Sequence, residues 1–118
     1  MLARRVASTG GTALLLAVAL ASVPSSAQEP DGRATFVSTC SGCHGAGGEG
    51  GYGPPLVSNA FVANAANMVP RIVRGGELMP PFGHLTDDEI AAIINFVRTG
   101  LNDNTDIVDA AFVAGQRP

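Results

Sequence analysis

Five consecutive residues, Cys40-Ser41-Gly42-Cys43-His44, constrain this chain more than any other feature. They contain both of its cysteines and one of its two histidines. Two thiols three positions apart can each add to one vinyl group of a single haem, and a histidine directly after the second thiol then faces the iron. The segment predicts one covalent haem c, attached through Cys40 and Cys43, with His44 as an axial iron ligand.

Other uses of the same residues fit less well. A disulfide between Cys40 and Cys43 would close a very short loop and stabilise little in the chain-entropy model. A thioredoxin-like dithiol needs a preceding strand within a βαβ unit, whereas the pattern before Cys40 is helical. Zinc could recruit at most Cys40, Cys43, His44 and His84, and two of these are adjacent in sequence and awkward for a tetrahedron. The G-x-G-x-x-G spacing at Gly45, Gly47 and Gly50 matches a dinucleotide-binding fingerprint, but it follows the cysteine segment and precedes Pro54-Pro55. That fingerprint belongs between a strand and a helix. Here the glycines are read as letting the backbone turn closely past the porphyrin.

The rest of the chain reads as short helices separated by glycine and proline, with no internal repeat and no strand of period-two alternation. A first helix is predicted from about Asp31 to Thr39, with Asp31 as N-cap and Phe36 and Cys40 on one face. Residues 45–53 hold six glycines and cannot form a regular helix. Phe61 to Asn67 is ambiguous, while Met68, Val69, Ile72 and Val73 fall at helical spacing before Gly75-Gly76. The clearest helix starts at Thr86. Thr86 and Glu89 make a capping box, Leu85 and Ile90 a hydrophobic staple, and Asp87 and Asp88 oppose the dipole. Ile90, Ile93, Ile94 and Val97 form its buried stripe, Arg98 suits the negative end and Gly100 the stop. One more short turn is expected in the tail, with Val108 and Phe112 on one side. The fold class is all-α.

A haem iron has a second axial position, for which Met68, Met79 and His84 are the candidates. Met79 is preferred because Met79-Pro80-Pro81-Phe82 is a stiff, non-helical loop able to present a thioether inward. Met68 lies on the apolar face of a helix, where core filling is the default. His84 directly precedes the last clear helix and is read as exposed.

Composition narrows the setting. Arg4 and Arg5, the apolar run Leu14 to Val23 and the small residues Ser25-Ser26-Ala27 read as a secretion signal cleaved after Ala27. The run is shorter than the roughly 20 residues a bilayer helix needs, so no membrane span is expected after cleavage. Residues 28–118 then make one small domain, exported to the periplasm. They carry five arginines, no lysine and ten carboxylates, a formal charge of −5. Such a surface repels phosphate backbones, so nucleic acid is excluded as a partner. With five phenylalanines, one tyrosine and no tryptophan, the core is limited, and an embedded porphyrin would supply the missing apolar surface.

These residues together resemble the small class I cytochromes c, especially bacterial ones with C-x-x-C-H near the start and M-P-P-F near the last helix. The resemblance covers about residues 31–100. Gly32 and Phe36 look like the glycine and aromatic of the N-terminal helix of that family, and Phe96 like the aromatic of the helix that crosses it. The resemblance also implies that the carbonyl of Pro54 accepts a hydrogen bond from His44. Arg71 or Arg74 would stand where an arginine can pair with a haem propionate. The lysine ring of mitochondrial relatives is absent. The function expected is one-electron transfer by a monomer, between a dehydrogenase or respiratory complex as donor and an oxidase or other acceptor. The alternative is a haem-relay subunit of a membrane or dehydrogenase complex. No Ser-His-Asp triad, carboxylate pair or open metal constellation accompanies the haem segment, so a carrier and not an enzyme is expected.

Overall fold

The computed structural model describes residues 7, 9–22 and 28–118. The expected cleavage site at Ser25-Ser26-Ala27 lies outside the described residues, as do Arg4 and Arg5. No described helix is long and apolar enough to cross a membrane.

Five α-helices make up the domain: α1 (Gly32–Thr39), α2 (Ser41–His44), α3 (Ala65–Arg74), α4 (Asp87–Asn95) and α5 (Ala110–Gln116). A 3₁₀ turn, Ala60–Ala63, precedes α3, and a π-helical turn, Phe96–Gly100, continues α4. There is no strand among the described residues. Among the described residues an isolated β-bridge joins Gly76 to Met79 within one tight turn.

Side-chain caps start α1, α3, α4 and α5. Asp31 caps α1 by accepting from the Ala34 N–H at 3.0 Å, and Asn64 does the same for α3 through Ala66. The Thr86–Glu89 capping box is complete, with both reciprocal bonds formed at 3.0 and 3.1 Å. Asp109 caps α5. The ambiguous Phe61–Asn67 stretch resolves into the 3₁₀ turn and the first residues of α3, because Asn59 and Asn64 each cap a separate turn. Pro70, which has no N–H to donate, sits inside α3.

The core is built where α4 packs on α1, α3 and α5. Phe36, Val62, Val69, Ile90, Ile94, Val97 and Val113 are wholly buried. The α1–α4 crossing depends on Gly32, whose missing side chain lets it lie against the Ala92 carbonyl and within 3.1 Å, measured from an added Cβ, of Phe96 Cβ. Beside it the Phe36 and Phe96 rings stack tilted, centroids 5.2 Å apart.

Three sequence expectations change in detail. Arg98 does not serve the helix end. It is 3% exposed and donates to the carbonyls of Val62, Ala63 and Asp106 as well as to the Asp106 carboxylate. It therefore ties the 3₁₀ turn and the tail to α4. Gly100 does not end an α-helix but closes the π turn, whose last bond runs from Leu101 N–H to Phe96 O; an added Cβ there would come within 3.0 Å of the Phe96 ring. In the tail, Val113 is the residue fully buried, while Val108 and Phe112 pack part-buried beside the core.

Candidate functional site

The cysteine segment is one compact turn. Cys40 ends α1, with its N–H bonded to Phe36 O at 2.7 Å. Cys43 and His44 in α2 both donate back to Cys40 O, at 3.2 and 3.0 Å. Both thiols are free and half-buried. Burial pushes the Cys40 thiol up to about 11, with the nearby Cys43 adding to the shift. A redox-active dithiol requires the opposite, a thiol lowered toward neutrality. Among the described residues no three His, Cys, Asp or Glu side chains converge as a metal-binding group, so the donors of a tetrahedral zinc site are not assembled.

The glycine loop folds back over His44. Gly53 N–H bonds Cys43 O at 2.8 Å and Gly50 N–H bonds His44 O at 2.7 Å. This brings the Pro54 carbonyl oxygen to 2.7 Å from His44 Nδ1. A carbonyl only accepts, so Nδ1 carries the proton and the Nε2 lone pair is left for a metal. Gly53 lies so close that a Cβ there would be 3.1 Å from the ring. The loop's glycines thus serve close approach to the imidazole, and they lie between α2 and a proline pair, not in a dinucleotide-binding turn.

Met79 stands at the end of a turn in which Gly76 and Met79 exchange two backbone bonds, at 3.0 and 2.9 Å. Phe82 N–H then anchors the proline loop to Ile72 O at 2.9 Å. Met79 and Cys40 pack, part-buried, against the same core. Met68 is one of that core's own members at 6% exposure, and His84 is exposed beside Phe82.

The donor set suits a haem: two free thiols and an imidazole on one turn, with one ring nitrogen already committed. Apolar side chains close in sequence to the candidate ligands, Val37 before Cys40, Tyr52 in the glycine loop and Leu78 before Met79, stay 41%, 71% and 73% exposed, offering contact surface to a large flat apolar group. A groove of about 490 Å³ between Pro30, Ala91, Phe96 and Ile107 contains none of the candidate donors.

Residues 27–97 match the family described as cytochrome C oxidase, cbb3-type, subunit III. The chain belongs to this family. It is thus a class I cytochrome c domain, carrying covalent haem c. Among solved structures it is similar to cytochrome cL from Methylophaga aminisulfidivorans, with 35% identity and a TM-score of 0.53 over 60% of this chain and 53% of that one. The chain therefore spans about half the length of that cytochrome. Cytochrome cL from Hyphomicrobium denitrificans, 24% identical, shares the fold with a TM-score of 0.50 over 75% of this chain and 67% of that one. Another c-type cytochrome, also 24% identical, is covered along its whole length, with 63% of this chain and a TM-score of 0.56. No curated protein matches the sequence.

The functional signal that sequence reasoning missed concerns Arg71. Its guanidinium lies over the Phe61 ring, 6.0 Å from the centroid. Phe61 fell in the ambiguous stretch, and nine residues of intervening chain hide the pairing from any local pattern.

Proposed function

We propose that the cytochrome is a periplasmic one-electron carrier whose haem is attached through Cys40 and Cys43 and ligated by His44 and Met79. The observation that carries this reading is the 2.7 Å bond between His44 Nδ1 and the Pro54 carbonyl, made on the same turn that holds both thiols. The bound haem supplies the one-electron couple. His44 offers Nε2, held in one orientation and made more basic by the Pro54 carbonyl. Met79 offers a soft thioether, which favours ferrous iron and raises the potential relative to more basic ligands. The exposed apolar side chains Val37, Tyr52 and Leu78 would pack against the bound group and exclude water from it. With His44 and Met79 both offering donors, no open position would remain for substrate, and the chain would carry electrons and not act as an enzyme.

The donor is proposed to be a dehydrogenase or respiratory complex and the acceptor an oxidase, with the protein a monomer released by cleavage after Ala27. A second reading draws on the family description, an oxidase subunit: the domain would relay electrons inside a membrane complex.

The test is a reduced-minus-oxidised spectrum and a mass measurement on one purified sample. A c-type spectrum is expected, with a mass equal to residues 28–118 plus one haem that stays with the protein in acid acetone. Haem leaving with the solvent would refute covalent attachment. Recovery only within a stable membrane complex would favour the relay reading.

A further inference from the structure

The arginines divide by how they are held. Arg98 is buried in hydrogen bonds, and Arg117 pairs with Asp87 at 2.5 Å while donating to the carbonyls of Gly83 and Leu85. Arg71 makes no ion pair among the described residues. It is held instead by position: its guanidinium lies over Phe61, and its Nη1 occupies the space beside Gly76, 2.7 Å from where a Cβ on that glycine would sit.

Gly76 opens the turn that presents Met79, and that turn needs support. Its second residue, Glu77, has φ +53°, a left-handed conformation that disfavours any residue with a Cβ. Glu77 and Leu78 are both exposed, so burial does little to hold them. On one side the turn rests on the end of α3, where Gly75, at φ +68°, lets the Met79 carbonyl and Pro80 approach closer than a side chain would allow. On the other side the Arg71 guanidinium fills the space a Gly76 side chain would take.

We propose that Arg71 is a positioning residue for the sixth ligand: stacked on Phe61, it braces Gly76 and so keeps the Met79 turn closed and its sulfur on the iron. This rests on the reading of Met79 as ligand. Without the brace, the turn opens more often, and a small external ligand competes better for the iron. Arg74, exposed and three residues further on, touches neither Phe61 nor Gly76 in this way and serves as the control.

The experiment is an imidazole titration of the oxidised, haem-loaded protein at neutral pH, followed by loss of the sulfur-to-iron charge-transfer band, with the denaturant midpoint measured alongside. Arg71→Ala and Phe61→Leu should each raise imidazole affinity about two- to fivefold, the strength of one cation–π contact. The double variant should show no more than the larger single effect, and Arg74→Ala should match wild type. Arg71→Lys, which keeps charge but loses the planar stack, should fall between and is the variant to read if alanine lowers the denaturant midpoint. Wild-type affinity in Arg71→Ala, or in Arg71→Lys when that is the variant read, would overturn the proposal. So would additive effects of Arg71 and Phe61, since Arg71 would then act without the ring. A Met79→Ala protein that keeps the band would instead refute the ligation reading itself, and the brace with it.

Discussion

His44 Nδ1 and the carbonyl oxygen of Pro54 sit 2.7 Å apart although the two residues are ten positions apart in sequence. The glycine loop closes that gap, and it leaves almost no slack around the imidazole. Gly53 has an ordinary backbone conformation, yet a Cβ added there would lie 3.1 and 3.2 Å from two ring atoms.

Gly53→Ala should therefore push the ring away from Pro54 without straining the backbone. A weaker bond makes the imidazole less basic and a poorer donor to ferric iron. The midpoint potential is expected to rise by about 30 mV, a threefold change in preference for a one-electron couple. Potentiometric titration checks this; an unchanged or lower value would show that the Pro54 bond does not tune His44.

Met79→Ala should abolish the sulfur-to-iron band, open the reduced iron to carbon monoxide and lower the potential on the order of 0.1 V, a fraction of the roughly 0.8 V range axial ligands span. Met68→Leu should keep the band, because Met68 is buried in the core. His84→Ala should keep it too. Loss of the band in Met68→Leu with retention in Met79→Ala would reverse the assignment.

Arg98→Ala should cost about 3 kcal/mol of stability, since it leaves the Val62 and Ala63 carbonyls without their donor and a void under the tail. Its partner behaves differently. Asp106 is exposed, and its carboxyl is held below the usual value of 3.8 mainly by the hydrogen bond from Arg98. A depressed carboxylate contributes stability that is present above 3.8 and lost as pH falls through its lower native value. Asp106→Asn should thus lose that contribution at neutral pH, a small one because the carboxylate is exposed, and flatten the acid limb of the stability profile below 3.8, where the two proteins converge. Denaturant midpoints across pH measure both effects, and an unaltered acid limb would exclude Asp106 as a contributor.

Gly32→Ala tests the helix crossing. The new methyl would meet the Ala92 carbonyl and Phe96 Cβ, forcing α1 off α4 at a cost of about 1–3 kcal/mol. Thermal unfolding of the haem-loaded protein should show a clear drop in midpoint. Gly42→Ala, where an added Cβ meets nothing within 4 Å, should lose nothing, and an equal loss there would mean that the crossing is not what Gly32 protects.

What the sequence determined by itself was whatever depends on neighbours a few residues apart. The spacing of Cys40, Cys43 and His44, the Thr86–Glu89 capping box and the stripe from Ile90 to Val97 are local patterns, and one helical turn suffices to express them. The all-helical fold class followed from such patterns. The role of Arg98 did not: from sequence it stands at a helix end where a cation is favourable, and only packing reveals that it lies beneath Val62, Ala63 and Asp106. Likewise Val113 is the buried residue of α5 because of where the tail lands on α4, which no periodicity in seven residues can specify. The stack of Arg71 on Phe61 and the reach of the Pro54 carbonyl to His44 also belong to the folded chain. The latter was anticipated by family resemblance, not by any rule of spacing. Such contacts join segments whose separation is set by loops, and loop paths are decided by the whole of the packing around them.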